Sequence, residues 1–428
     1  MADLVQRYLD ELVAEYACVD DGAVADYIPE LTRVDPTGFG LTLSSADGFL
    51  YESGDARTEF TIQSISKPFT YALALDLAGH DAVDAKIGVE PSGDAFNEIS
   101  VDEHTKTPKN PMINAGAIAA VSLIPGASPD ERFATLEEFY SACAGRPLEL
   151  DEDVYRSEKE TGNRNRAIAY MLTSFGVFDD PDDVLDVYFR QCSLKVTSVD
   201  LARMAATLAR GGINPQTGRR VTSAKVVQRT LSVMVTCGMY NGAGDWVSAV
   251  GMPAKSGVGG GITAVLPGQL GIGVYSPLLD ARGNSVRGVL ACRALSERLG
   301  LHFLCVSRES RATIRAVYEA AEGVRVYEMH GDLMFAGAEK VLRTVDRDSD
   351  GFSVAILDVT RVDSINDPAR MLLAGLSTTL SGAGKRGFLV DPDAAVIRPG
   401  RGFDDVVFST LEDAVAAARQ WQQANPAG

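Results

Sequence analysis

Ser64-Ile65-Ser66-Lys67 and, far downstream, Lys255-Ser256-Gly257 are the two stretches on which the reading of this chain turns. In the first, a hydroxyl and an amine stand three positions apart. If the stretch opens a helix, side chains at that spacing share a face, with Cβ atoms about 5–6 Å apart. A neutral lysine there can take the serine proton, so no histidine is needed. Pro68 favours a helix start at this point, because proline is tolerated where its missing N–H would have had no partner anyway. The helix is therefore expected to begin close to Ser64, with the hydroxyl at its positive end. No other lysine in the chain has serine three positions before it, and no other is followed by Ser-Gly. The second stretch is expected on an edge strand, followed by glycines that let a backbone approach a ligand closely. Taken singly, each is compatible with an ordinary helix start or strand end.

Composition narrows the classes. The chain has 428 residues, 46% of them hydrophobic and 23% charged, which suits a soluble protein of two domains. Its net charge of −18 argues against nucleic acid and against anionic membrane surfaces. No apolar run reaches the roughly 18–20 residues of a membrane span. Pro267-Gly268-Gln269 interrupts the most apolar stretch. Met1 to Leu12 lacks a basic start before an apolar segment, so no signal peptide is read there and the expected location is cytoplasmic. The six cysteines are scattered and the four histidines lack ligand spacing, so neither metal nor cofactor is expected.

Two regions differ in texture. Residues 1–306 carry Gly- and Asn-rich motifs, helical stretches at Thr70–Leu77 and Val199–Arg210, and apolar strand-like runs. These runs fall at Phe39–Leu43, Ala249–Met252, Ile262–Leu266, Leu270–Tyr275 and Val286–Ala291. Strands at both ends with helices between suit an antiparallel sheet with an inserted helical cluster, an α+β arrangement. Residues 307–312 read as a charged linker. Residues 313–428 then read as a small α/β module. It has paired strands around Glu322-Gly323, a helix over Ala336–Val345 and a strand over Phe352–Val359. A helix over Asp367–Leu380, a strand at Gly387–Val390 and a terminal helix over Thr410–Gln423 complete it.

A Ser-x-x-Lys followed by a Lys-Ser-Gly is shared with serine β-lactamases and penicillin-binding proteins. The third mark of that class, Ser-x-Asn or Tyr-x-Asn between the two, is missing. The one Ser-x-Asn, Ser364-Ile365-Asn366, lies beyond both. Other motifs separate the readings. Ala25-Asp26-Tyr27-Ile28-Pro29-Glu30-Leu31, Glu90-Pro91-Ser92-Gly93-Asp94-Ala95-Phe96-Asn97 and Asn110-Pro111-Met112-Ile113-Asn114-Ala115-Gly116-Ala117-Ile118 closely resemble the serine-dependent glutaminase family. So do Ser157-Glu158-Lys159-Glu160-Thr161-Gly162-Asn163-Arg164-Asn165, Cys237-Gly238-Met239-Tyr240 and Pro253-Ala254-Lys255-Ser256-Gly257-Val258. The motifs occur in the family's order from about Asp26 to Cys292. The resemblance implies hydrolysis of L-glutamine to glutamate and ammonia on a β-lactamase/transpeptidase-like domain.

It also implies roles. Ser64 matches the family's nucleophile and Lys67 its general base, with a pKa expected to be depressed by burial and by a neighbouring cation such as Lys255. The oxyanion is expected against the backbone N–H groups of Ser64 and Val258, and Tyr240 matches a proton relay. Glu158 matches the anion for the substrate ammonium. Tyr27, Asn114, Asn165 and Tyr188 match hydrogen-bonding positions. Without the resemblance, the tyrosines would read as core residues, the asparagines as turn or cap residues, and Glu158 as part of a solvated face. The family further suggests a homo-oligomer, a dimer or a tetramer.

Residues 313–428 resemble the STAS module of sulfate transporters and anti-sigma factor antagonists, more loosely. Gly331-Asp332-Leu333-Met334-Phe335 and Leu357-Asp358-Val359-Thr360-Arg361-Val362-Asp363-Ser364 carry the likeness. Ile365 stands where antagonists carry a phosphorylated serine, so a docking or assembly role is expected instead. Two alternatives stand beside the glutaminase reading. One is a β-lactamase or penicillin-binding type of serine acyl hydrolase. The other is a STAS-centred regulatory protein with an inert first domain.

Overall fold

The computed structural model describes residues 4–26, 28–92, 101–102, 104–305, 313–394 and 407–425. The chain divides into two compact units, Leu9–Ala294, and Leu295–Gly428 together with Met1–Tyr8. The stretch 307–312, read above as a linker, lies outside the described residues.

The larger unit is built on a five-stranded antiparallel sheet. Its order is Leu50–Gly54, Gly40–Ser45, Leu270–Tyr275, Gly261–Leu266, Ala254–Gly257. Early and late strands meet where Gly40 pairs with Tyr275 and Ser45 with Leu270. The chain between them is mostly helical, so the unit is α+β, an antiparallel sheet with an inserted helical cluster. Gly261–Leu266 and Leu270–Tyr275 are buried along their whole length. Burial on both faces explains why they read as unbroken apolar runs rather than as alternating ones. The Ser198–Ala209 helix lies on these strands, started by a capping box between Thr197 and Asp200. It can lie close because Gly271 and Gly273 carry no side chain. A Cβ at Gly273 would stand 1.9 Å from the Ser198 carbonyl oxygen.

Two stretches read as strands are not strands: one is helical and the other is a helix end and turn. Val286–Ala291 opens the helix Val286–Leu299, whose buried Ala291, Cys292, Leu295 and Leu299 follow helical spacing. That period is invisible in a short apolar window. Ala249–Met252 instead follows the end of the helix Ala243–Ala249. There Gly251, at φ +60°, returns its N–H to the Trp246 carbonyl at 3.1 Å. The edge strand begins only at Ala254.

The helix Ser66–Ala78 is buried from Ser66 through Leu75, on every side. A helix enclosed all round belongs at the centre of a cluster. Asn114–Val121, Pro129–Ala144 and Ala224–Cys237 pack against it.

The smaller unit has a five-stranded sheet in the order Val407–Phe408, Arg386–Val390, Val354–Ile365, Val324–Leu333, Ile314–Ala321. Neighbours are parallel except for the last two, an antiparallel hairpin turned at Gly323 with φ +68°. The helices Phe335–Arg347, Asp367–Gly382 and Leu411–Ala424 complete an α/β module. Among the described residues no helix is long and apolar enough to cross a membrane. Nor does any group of three or more His, Cys, Asp or Glu there have the placement to hold a metal ion.

Candidate active site

The central helix does begin at the Ser64 stretch. A 3-10 turn, Gln63–Ile65, runs directly into Ser66–Ala78. Gln63 has φ +51°, a left-handed conformation that costs a non-glycine residue about 1–3 kcal/mol and survives only where its surroundings hold it. Ser66 supplies that hold, donating its backbone N–H and, at 2.6 Å, its hydroxyl to the Gln63 carbonyl. The glycine turn after Lys255 comes up against the same segment. A Cβ at Gly257 would meet the Ile62 carbonyl oxygen at 3.0 Å, and one at Gly259 the Thr61 oxygen at 2.5 Å. Backbone therefore lies on backbone, and buried Val258 is carried on this turn.

Behind Ser64 lie two fully buried lysines. Lys67 Nζ donates to Asn114 Oδ1 at 2.6 Å. Burial lowers its pKa to about 8, against the opposing fields of Cys192 and Glu158. Lys255 Nζ donates to the Ser256 carbonyl at 2.8 Å and stands 3.8 Å from the centre of the Tyr240 ring. A ring face offers a desolvated cation about 2 kcal/mol, against a burial penalty of several kcal/mol per ion. Burial wins, reinforced by Lys67, and the Lys255 pKa falls well below its ordinary value. The repulsion is reciprocal, so a charge on either lysine disfavours a charge on the other.

Tyr240 joins the two halves. Its hydroxyl donates to the Ser256 carbonyl at 3.0 Å and shares a side-chain hydrogen bond with Ser64. Burial pushes its pKa up to about 12 despite those bonds, so the phenol keeps its proton. Its backbone too is left-handed, at φ +55°.

A cavity of about 250 Å³ opens on Ser64, and Asn114, Glu158, Asn165 and Tyr188 also line it. Asn114 Nδ2 donates to Asn165 Oδ1 at 2.8 Å, so one asparagine holds both Lys67 and its neighbour on the cavity wall. Burial raises Glu158 to about 7, partly offset by a hydrogen bond from Gln63 and by the charge of Lys67. Tyr240 lines a different cavity, of about 550 Å³, instead. Tyr27 lies outside the described residues.

Gln63, Arg164 and Cys192 also line the smaller cavity and escaped the sequence reading. Gln63 and Arg164 sit beside motif residues that were singled out. Cys192 gave no signal beyond being one of the scattered cysteines. Burial keeps its thiol protonated.

A family model described as glutaminase matches residues 22–304. The chain belongs to the glutaminase family. It is 49% identical over 363 residues to Glutaminase 1 of Bradyrhizobium diazoefficiens, covering 84% of this chain and 58% of that one. To Glutaminase 2 of the same organism it is 46% identical, spanning 64% of that relative's length. The alignments therefore span less than two thirds of both relatives. A glutaminase of Corynebacterium glutamicum is 44% identical over 394 residues, 91% of this chain and 94% of its own. Among solved structures, Mglu in its glutamate form superposes with a TM-score of 0.70 at 41% identity, covering 92% of this chain and 99% of that chain. The glutaminase fold so shared is β-lactamase-like.

The asymmetry between the lysines can be measured. In Lys255→Met the Lys67 pKa, followed by NMR of labelled lysine, is expected to stay within about half a pKa unit of its original value. A charged Lys255 would contradict this, because its removal would raise Lys67 by a unit or more.

Proposed function

We propose that this glutaminase-family chain hydrolyses L-glutamine to L-glutamate and ammonia, with Ser64 as nucleophile and Lys67 as its base. One observation carries the reading: Ser64 stands between a small polar cavity and two buried amines whose pKa values are depressed. A carboxamide is a poor electrophile, so it needs an activated nucleophile, an oxyanion site and a proton for the leaving nitrogen. Neutral Lys67 takes the Ser64 proton as the Oγ–carbon bond forms. The backbone N–H groups of Ser64 and Val258 face the developing oxyanion. As the carbon–nitrogen bond breaks, the proton taken up by Lys67 is relayed through the Tyr240 hydroxyl to the departing ammonia, which leaves Lys67 neutral and Tyr240 still protonated. Water then cleaves the acyl-serine, with Lys67 again as base.

The cavity sets the choice of substrate in this reading. Glu158 takes the α-ammonium, which restores to the carboxylate the charge that burial opposes. Asn114, Asn165, Tyr188 and Tyr27 hold the rest of the amino acid. An analogue without the ammonium leaves Glu158 unpaired and is rejected. The solved glutamate form of the similar Mglu supports a site shaped for this amino-acid frame. We place the activity in the cytoplasm, in a homo-oligomer.

The smaller unit is read as a STAS-like module for docking or assembly. Its hairpin followed by parallel strands and helices suits that class. Ile365 occupies the switch position, and the neighbouring Ser364 hydroxyl is already engaged with Asp332.

Ser64→Ala is expected to cut ammonia release from glutamine by about a thousandfold or more while leaving the melting temperature close to that of the parent. Undiminished turnover would remove Ser64 from the mechanism. Deleting residues 312–428 is expected to leave measurable turnover and to change the sedimenting species from the dimer or tetramer of the full chain. A folded truncation with no turnover, or a monomeric full chain, would contradict the modular reading.

A further inference from the structure

The Gln63 carbonyl is the end of a buried chain of donors that reaches well away from the cavity. The Ser66 hydroxyl donates to it at 2.6 Å. Gln191 Nε2 donates to the Ser66 Oγ at 3.2 Å, and Thr70 Oγ1 donates to Gln191 Oε1 at 2.7 Å. The Tyr140 hydroxyl then lies 2.5 Å from Thr70 Oγ1 and 2.8 Å from the Ser66 carbonyl oxygen. Ser66, Thr70, Tyr140 and Gln191 have no exposed surface. They come from three elements: Ser66 and Thr70 from the central helix, Tyr140 from Pro129–Ala144, and Gln191 from Pro181–Cys192.

Each hydroxyl has one proton, and the directions agree from Thr70 through Gln191 to Ser66. Thr70 spends its proton on Gln191, leaving Gln191 its amide N–H for Ser66 and Ser66 its own proton for Gln63. Thr70, Gln191 and Ser66 are therefore polarised toward one acceptor, the carbonyl of the left-handed residue just before Ser64, while Tyr140 donates to the Ser66 carbonyl and braces the same turn of helix. Apolar residues in place of this chain would fill the helix contacts equally well. They would take the Ser66 hydroxyl bond away from the Gln63 carbonyl.

We infer that Tyr140, Thr70, Gln191 and Ser66 form a positioning network that holds the Gln63–Ser64 turn and thereby aims the Ser64 hydroxyl between Tyr240 and the cavity. The inference rests on Ser64 being the nucleophile. The network touches no substrate. It acts through the turn, so its loss misplaces the reacting oxygen while Asn114, Asn165 and Tyr188, carried on helices other than the one the turn opens, keep their hold on the amino acid.

The test uses the full chain with Thr70→Val, Thr70→Ser, Ser66→Ala and Ser64→Ala, measuring kcat, KM for glutamine, inhibition by L-glutamate and melting temperature. Thr70→Val keeps the shape but removes the hydroxyl, and Ser66→Ala cuts the last link. Both are expected to lose roughly 10- to 100-fold in kcat. KM and glutamate inhibition should stay within about threefold. Thr70→Ser, which restores the hydroxyl, should recover most of the loss. Wild-type kcat in folded Thr70→Val and Ser66→Ala overturns the inference, as does a Thr70→Ser no better than Thr70→Val. Failure of both cutting variants to fold assigns the network to folding alone and also overturns it. An active Ser64→Ala would instead overturn the nucleophile reading, which keeps the two failures apart.

Discussion

Two amines, Lys67 and Lys255, lie buried within each other's field, and a core of low dielectric cannot keep both charged. Much of the larger unit's arrangement follows from how that conflict is resolved. Lys67 has an amide oxygen at 2.6 Å and the field of Glu158, so it keeps a pKa of about 8. Lys255 has a carbonyl and a ring face, and burial beside Lys67 holds its pKa well below the ordinary lysine value. A neutral Lys255 spares Lys67 a second cation, and a Lys67 poised near neutrality can act as a base without histidine.

The same burial makes the surrounding geometry rigid. The central helix is enclosed on every side, so its first turn cannot relax outward. The left-handed Gln63 is held from within by Ser66 and from outside by the glycine turn that carries Val258. Tyr240, also left-handed, ties that turn to Ser64 through the Ser256 carbonyl. Strain at two non-glycine residues flanking one serine hydroxyl is the kind of cost a fold retains where position matters.

Much of this could be read from residue order. Ser64 and Lys67 are legible because helical spacing alone puts them on one face, and Lys255 because glycines follow it. The doubly buried strands Gly261–Leu266 and Leu270–Tyr275 showed as plain apolar runs. Val286–Ala291 showed the same signal and is helical, since a short apolar run carries no period. Gly251, a helix end, was hidden inside another such run. Gln63 was passed over because a neutral amide shows nothing in sequence of its backbone angle or of its bond to Glu158. Which lysine yields its charge was beyond reach for a similar reason. It depends on partners supplied by Asn114 and Glu158, from helices distant in the chain.

The pH dependence of kcat/KM for glutamine tests most directly whether burial alone turns Lys67 into a working base. An ordinary lysine titrates near 10.5, and this one is lowered to about 8. A base acts when unprotonated, so activity should rise with pH through an apparent pKa near 8. The fall should steepen below about 7 as Glu158 takes a proton, both values belonging to the coupled pair. A profile that stays flat from about pH 6 to pH 9, or that rises only near 10.5, would contradict the account.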